Sequence, residues 1–462
     1  MLATVTTRIP HRLLGLALVL AGLVAAATKP VQAAPPTYAG EVAAILQKNC
    51  QGCHRPGHVG PFSLETYAQA RKRADDIATV VRERRMPPWK AAPQVYPKFY
   101  HDRSMSEADI KTVVTWAEAG APEGDRTQMP TPPEYPGEWR LGTPDLVLEM
   151  PVDFAVPASG EDVYRCFVFP TNLPDDRYIA ALEYRPGNRR VVHHIQGYVD
   201  NLGLGRKRDE SEAGVGYASY SGAGVKTLCD LASWVPGDEA RFLPEGVGRS
   251  LPRGSDIILQ VHYHPTGKPE TDRSRIGLYF SKTPIKQTLH RTGAFQPNLK
   301  IPAGDPNFEA RASWILPVDM EALFVQPHMH SLGHDMRMWA TLPGGRELDL
   351  IQIDDWDFAW QSYYYFEQPI TLPKGTVVKV VAHFDNSANN PRNPNNPPKP
   401  VQWGWASYDE MCVGFIGVTK KGQDLTQPDE KDDLSQIIDQ NRDDLRELRK
   451  RVAKDPDKAP LD

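Results

Sequence analysis

A break in periodicity constrains this chain more than any other feature. Residues 126–143 are a linker containing Met129-Pro-Thr-Pro-Pro-Glu-Tyr-Pro136. No regular element persists through it, because proline fixes φ and lacks the backbone N–H. Before the break, apolar residues recur at helical spacing. Val42, Ile45 and Leu46 share a face of a helix over 38–48, and Ser63 opens a second run through Ile77, Val80 and Val81 to Arg85. Ser106-Glu-Ala-Asp109 caps a third, with Ile110, Val113, Val114 and Trp116. After the break, 145–150, 256–263 and 375–382 alternate like strands. With 43 prolines and 35 glycines, a 462-residue chain of this pattern has room for two or three domains. A small all-α unit followed by all-β sandwiches is expected.

The helical part holds Cys50-Gln-Gly-Cys53-His54, the C-x-x-C-H attachment site of one covalent c-type haem. The thiols of Cys50 and Cys53 add across the vinyl groups, and His54 ligates the iron. Met86, in Arg85-Met86-Pro87-Pro88-Trp89, is the expected opposite ligand, a pairing that raises the haem potential. His58 and His101 are rival ligands. Residues 36–125 also resemble a bacterial cytochrome c domain through the Met-Pro-Pro-Trp loop and Trp116-x-x-x-Gly-Ala-Pro122, which implies Met86.

Covalent haem places the chain outside the cytoplasm, and the N-terminus agrees. Arg8, His11 and Arg12 precede an apolar run from Leu13 to Ala27 and then Val31-Gln32-Ala33. This reads as a signal peptide over 1–33 cleaved near Ala33, the alternative being an uncleaved anchor; the run is short for a span. No later segment is apolar enough for a stable membrane span, so a periplasmic or secreted protein is expected. The net charge of -5 argues against nucleic acid as a partner.

Three of the 13 histidines' groupings fall on the alternating segments: His193 with His194, His262 with His264, and His328 with His330. Residues at i and i+2 of a strand share a face, so the last two pairs can each chelate a metal. His193 and His194 can share an ion only if the backbone bends between them. Of five cysteines, two go to haem, leaving Cys166, Cys229 and Cys412, two of which are expected to pair in an oxidising compartment.

Val192-His193-His194-Ile195, Leu259-Gln260-Val261-His262-Tyr263-His264-Pro265, Gln326-Pro-His328-Met-His330-Ser-Leu-Gly333 and Asp409-Glu-Met411-Cys412 follow in that order. They resemble the copper-binding motifs of the copper type II, ascorbate-dependent monooxygenases over residues 140–420. The resemblance implies two jelly-roll-like β-sandwich domains, over 144–288 and 289–420, each with one copper. It assigns His193, His194 and His262 to an electron-transfer copper. It assigns His328, His330 and Met411 to the catalytic copper where O2 binds, and leaves His264 without a metal. A thioether favours Cu(I), the state that meets oxygen. By position Met329, Met336 and Met338 are packing residues. The resemblance also implies a Cys166–Cys229 disulfide in the first copper domain and a free Cys412.

Some positions depart from the family. Gln326 stands where the peptide-amidating members carry a carboxylate-binding arginine, and Val413 and Phe415 replace an asparagine and a tyrosine. Peptidylglycine amidation is not expected, and no amine-binding carboxylate marks a catecholamine site. The reading is a monooxygenase that hydroxylates a C–H bond of a small-molecule or peptide substrate. Electrons reach the haem from a small reductant or redox protein. Gln260 lies near their entry to the copper domain, or is a strand hydrogen-bonding residue. The alternative is an electron-transfer or copper-handling protein without catalysis. In the tail, 421–462, Leu434, Ile438, Asn441, Leu445, Leu448 and Val452 fit a docked helix or a short coiled coil.

Overall fold

The computed structural model describes residues 34–93, 97–135 and 137–454. The expected signal peptide lies outside them. The helical unit starts with a π-helical turn, Tyr38–Val42, that continues as α1, Ala43–Asn49. The expected second helix is two helices, α2 (Tyr67–Lys72) and α3 (Ala74–Arg82), broken at Arg73. It begins after Thr66 and not at Ser63, because Thr66 and Gln69 form a reciprocal capping box. α4 (Glu107–Glu118) is capped by Ser106, whose hydroxyl accepts from the Asp109 N–H, a contact worth about 1 kcal/mol. Tyr38, Leu46, Val81, Val113 and Trp116 form the core of this unit.

The linker opens with a 3-10 turn, Arg126–Gln128, and then runs irregularly along the helical unit. The Tyr135 hydroxyl donates to Gln51, and the Arg55 guanidinium lies 3.9 Å from the Tyr135 ring centroid.

The first sandwich spans 146–288. One sheet contains β1 (Val163–Pro170), β2 (Arg177–Arg185) lies in the other, and β3 (Val192–Asp200) returns to the first. A short helix, α5 (Leu204–Glu210), follows, then β4 (Cys229–Asp230) and β5 (Asp256–Tyr263). The five-stranded sheet that carries the histidines runs Tyr217–Ala218, β1, β5, β3, β4. β5 is buried along its whole length, as expected for a central strand. Phe167, Ile195, Val199, Leu259 and Val261 fill the space between the sheets.

The second sandwich contains β6 (Met320–His328), β7 (Tyr364–Leu372) and β8 (Val413–Lys420), with β8 and β7 flanking β6. Its other sheet is built of Phe308–Ile315, Val377–Phe384, Gly333–Thr341 and Glu347–Ile353. Met329, Met336 and Met338 are buried in the core between the sheets. The tail forms α6, Leu434–Lys454, and its first turns dock on this sandwich. Leu434 and Ile438 join the core, the Trp314 indole donates to Asn441, and Arg442 donates to Thr292. The side chains of Leu445, Leu448 and Val452 lie outside the described ones.

The Cys166–Cys229 disulfide is not formed. Both thiols are free, as is Cys412. Cys166 on β1 and Cys229 on β4 are separated by β5 and β3. At about 4.8 Å per strand, that separation far exceeds the roughly 6 Å between Cα atoms that a disulfide spans. Each thiol instead contacts a backbone carbonyl, of Gly222 and Ser250 respectively.

Candidate metal centre

β3 and β5 pair with His194 opposite His262, and the register slips between Val192 and His194. His193 is the extra residue of that β-bulge, which re-aims its side chain. The backbone therefore bends where two adjacent histidines need it to. One nitrogen from each of His193, His194 and His262 falls within 4.8 Å of the others. His194 Nδ1 lies 3.3 Å from Nδ1 of both His193 and His262. Nitrogens about 2.0–2.1 Å from one tetrahedral ion stand roughly 3.3 Å apart. The three rings thus have the spacing of ligands around a single ion.

Asp162 fixes this arrangement. His262 Nε2 donates to Asp162 Oδ2 at 2.8 Å, which leaves Nδ1 with its lone pair. His264 donates from Nδ1 to the other oxygen at 2.7 Å. His264 is thus engaged by a carboxylate and stands outside the cluster. Burial works to raise the Asp162 carboxyl, but His262 and His264 hold it down at about 2. The Tyr164 ring stacks on His262 at 4.1 Å. Burial and the neighbouring His262 lower His193 to about 4, and burial lowers His194 and His262 as well. All three are neutral at pH 7, the form that binds a metal.

The second set sits at the end of β6. His328 Nδ1 donates to Gln361 Oε1, and the Gln361 amide donates to the Phe358 carbonyl, so its oxygen must face His328. His330 Nδ1 donates to the Asp409 carbonyl at 3.0 Å. His328 therefore keeps Nε2 free; the His330 ring also meets the Ala406 carbonyl, and the two rings lie 5.1 Å apart by centroid. Burial pushes His328 down to about 3 and His330 to about 4. β6 and β8 pair with His328 opposite Val413. Continuing that register sets Met411 opposite His330, on the histidine face. Met329 and Cys412 point the other way, into the core. Met411 is 4 % exposed yet belongs to no apolar cluster, unlike its neighbour Cys412. A set of two imidazoles and a thioether would favour Cu(I), and three imidazoles suit copper as well.

Glu410 lies beneath this set, fully buried. It accepts backbone N–H bonds from His330, Leu332 and Met411. Gly333 must be glycine, because a Cβ there would lie 2.7 Å from Trp356 and 2.9 Å from Met329. The Trp356 indole donates to the His330 carbonyl. Phe358 separates the two sets: its ring centroid is 5.6 Å from His193 and 5.6 Å from His330. Gln326 accepts from Arg291, which is ion-paired with Asp230 and stacked on Phe415. Gln260 is a hydrogen-bonding residue that clamps the carbonyls of Ser219 and Gly222.

The C-x-x-C-H segment folds as one turn after α1: the Cys53 and His54 N–H groups both donate to the Cys50 carbonyl. His54 Nδ1 donates to the Phe62 carbonyl at 3.1 Å, which leaves the lone pair on Nε2. A Cβ on Gly60 would come within 2.8 Å of that nitrogen. Met86 is half-buried in the turn after α3. His58 and His101 instead line a cavity of about 1100 Å³ beside Cys53.

Asp162, Phe358, Gln361 and Glu410 carry no role in the sequence reading. Asp162 comes from 100 residues before its partner, and Phe358 and Gln361 come from a coil. Only Glu410 had a signal, as a carboxylate inside the Asp409-to-Cys412 motif.

No family model matches the chain. DBH-like monooxygenase protein 1 of Gallus gallus is 23% identical over 360 residues, 68% of this chain and 55% of that protein. Its Homo sapiens counterpart is 25% identical over 290 residues, 56% of this chain and 45% of that protein. The chain spans about half the length of the curated relatives it matches. Among solved structures, the infectious bursal disease virus VP2 subviral particle has a TM-score of 0.19 at 8% identity, covering 60% of this chain and 71% of that one. A score so low carries no argument. The homology to DBH-like monooxygenases, weak as it is, supports kinship with the copper type II, ascorbate-dependent monooxygenases.

Proposed function

We propose that the chain is a periplasmic or secreted haem- and copper-dependent monooxygenase that hydroxylates a substrate C–H bond with O2. The observation that carries this reading is the convergence of His193, His194 and His262, faced across Phe358 by the imidazoles of His328 and His330. Copper, when bound, supplies one-electron redox chemistry and the activation of oxygen. The protein supplies the rest. His193, His194 and His262 hold the electron-transfer ion as neutral ligands oriented by Asp162. His328, His330 and Met411 hold the catalytic ion, with Gln361 and the Asp409 carbonyl fixing which ring nitrogens are free. Phe358 excludes water from the space between them. Phe415 and Val413 give the substrate side an apolar wall, and Arg291, neutralised by Asp230, offers no free charge for a substrate carboxylate.

Cys50 and Cys53 would hold one haem, with His54 and Met86 as its iron ligands, and it would supply a one-electron donor for the first copper site. His58 and His101 remain rival ligands. The substrate is a small molecule or peptide. Metal analysis of the purified protein tests the reading. It should carry one covalent haem and two coppers, and His328→Ala should remove one copper while the haem spectrum stays normal. Oxygen uptake coupled to a hydroxylated product separates the monooxygenase from a protein that only moves electrons or copper. A single copper, or copper without oxygen uptake on any substrate pool, overturns it.

A further inference from the structure

The 1100 Å³ cavity lies between the C-x-x-C-H turn and the first sandwich. It exceeds the usual size of small-ligand pockets, about 300–1,000 Å³. Its walls come from both sides. Cys53, Arg55 and His58 belong to the helical unit, and Arg185, Arg189 and Trp234 to the sandwich. Lysines and arginines outnumber carboxylates among the lining residues.

Several of these positive charges lack a carboxylate. Glu239 pairs with the Arg140 guanidinium, and Glu183, which accepts the Arg140 backbone N–H, takes one edge of Arg185. Arg185 Nε is buried without a hydrogen-bond partner. Arg189 forms no ion pair among the described residues and meets only the Trp234 ring at 6.0 Å. Arg55, Arg185 and Arg189 line the same cavity as His58. A guanidinium without a carboxylate, such as that of Arg189, favours an anion beside it.

The turn that presents Arg189 is rigid. A Cβ on Gly187 would come within 2.5 Å of the Arg273 backbone, and Asn188 is bonded to Asp272 and Glu270. Four residues beyond Arg189, β3 delivers His193 to the metal cluster. Trp234, on the cavity wall, exchanges backbone hydrogen bonds with Ile195 beside His194.

We propose that the haem attached at Cys50 and Cys53 turns its two carboxylates into this cavity, where the guanidiniums of Arg189 and Arg185 receive them. The haem is then shared between the helical unit and the copper domain, with its polar edge against the strand that holds the first metal cluster. The inference rests on the haem assignment above.

The test uses the full-length haem protein. Haem midpoint potentials and the propionate bands in resonance Raman spectra are compared for wild type, Arg185→Gln, Arg189→Gln and Arg189→Lys. Arg190→Gln is the control, because Arg190 is exposed and faces Glu270. A positive charge beside the haem favours the reduced, less positive iron, so removing it in either Gln variant should lower the potential and alter the propionate bands. Arg189→Lys should restore most of the potential, and Arg190→Gln should match wild type. Unchanged potentials and bands in both Gln variants, with haem attached, overturn the inference alone. A wild-type potential that moves with added acetate overturns it too, since a diffusible carboxylate then takes the arginines. Wild-type protein without covalent haem overturns the haem assignment as well.

Discussion

His193 and His330 are held apart by one side chain: the Phe358 ring stacks on the first and meets the second edge-on, 5.6 Å from each by centroid. The two histidines belong to different sandwiches, so the contact joins the two histidine sets through an apolar wall.

Phe358→Ala should open that wall. Phe358 is half-buried, so the loss of stability should be roughly 1–3 kcal/mol, below that of a fully buried phenylalanine. Reaction of His193 and His330 with diethyl pyrocarbonate, followed by mass spectrometry, should rise well above wild type. Equal labelling would show that the ring does not shield them.

Asp162→Asn should leave the fold intact but weaken the first site. The variant loses the carboxylate that fixes the His262 tautomer and also holds His264. A loss of about 10–100-fold in copper affinity at that site is expected. Competition with a chromophoric chelator measures it, and the second site should be unaffected.

Met411→Ala should weaken retention of Cu(I) more than binding of Cu(II), because it removes the soft ligand. X-ray absorption of the reduced protein should lose its sulfur scatterer. A persisting scatterer would point to Met329 or Cys412, both of which face the core.

Thiol labelling tests the separation of Cys166 and Cys229. Iodoacetamide added in denaturant without reductant should modify Cys166, Cys229 and Cys412 alike. Reductant should not shift the Tm. Protection of Cys166 and Cys229 together would restore the bridge.

Asp238 should make stability depend on pH. Burial pushes its carboxyl up to about 7, against the pull of Arg103. The folded state therefore keeps a proton that the unfolded chain, titrating at about 3.9, releases. This contribution is fully present below the unfolded value and is lost as pH rises through the folded one. Asp238→Asn should raise the Tm relative to wild type at pH 8 and leave it nearly unchanged at pH 4. A Tm difference that is the same at both pH values contradicts the assignment.

The sandwiches were legible because their strands alternate and their histidines fall in ordered motifs. The expected strand at 256–263 is the central strand β5. Local spacing also reached the condition on His193 and His194, a backbone bend, which the bulge meets. It could not reach Asp162, whose role depends on a partner 100 residues away, or Phe358, which lies in a coil with no period to read. The start of α2 was misplaced because Ser63 and Thr66 are both good caps, and only the Gln69 side chain decides between them. The cysteine pairing came from resemblance, and strand order, which no spacing encodes, separates the two thiols.

Arg103, from the helical unit, donates to the Gly237 carbonyl in the first sandwich and to Ser362 beside the second. Its segment also joins the second sandwich edge through Ala92 to Gln352 and Tyr100 to Tyr365. A hinge between the sandwiches would have to tear these bonds on one side or the other. The helical unit thus acts as a splint beside the direct Asp230–Arg291 and Ser233–Tyr363 contacts, and the gap that Phe358 fills is a span of fixed width.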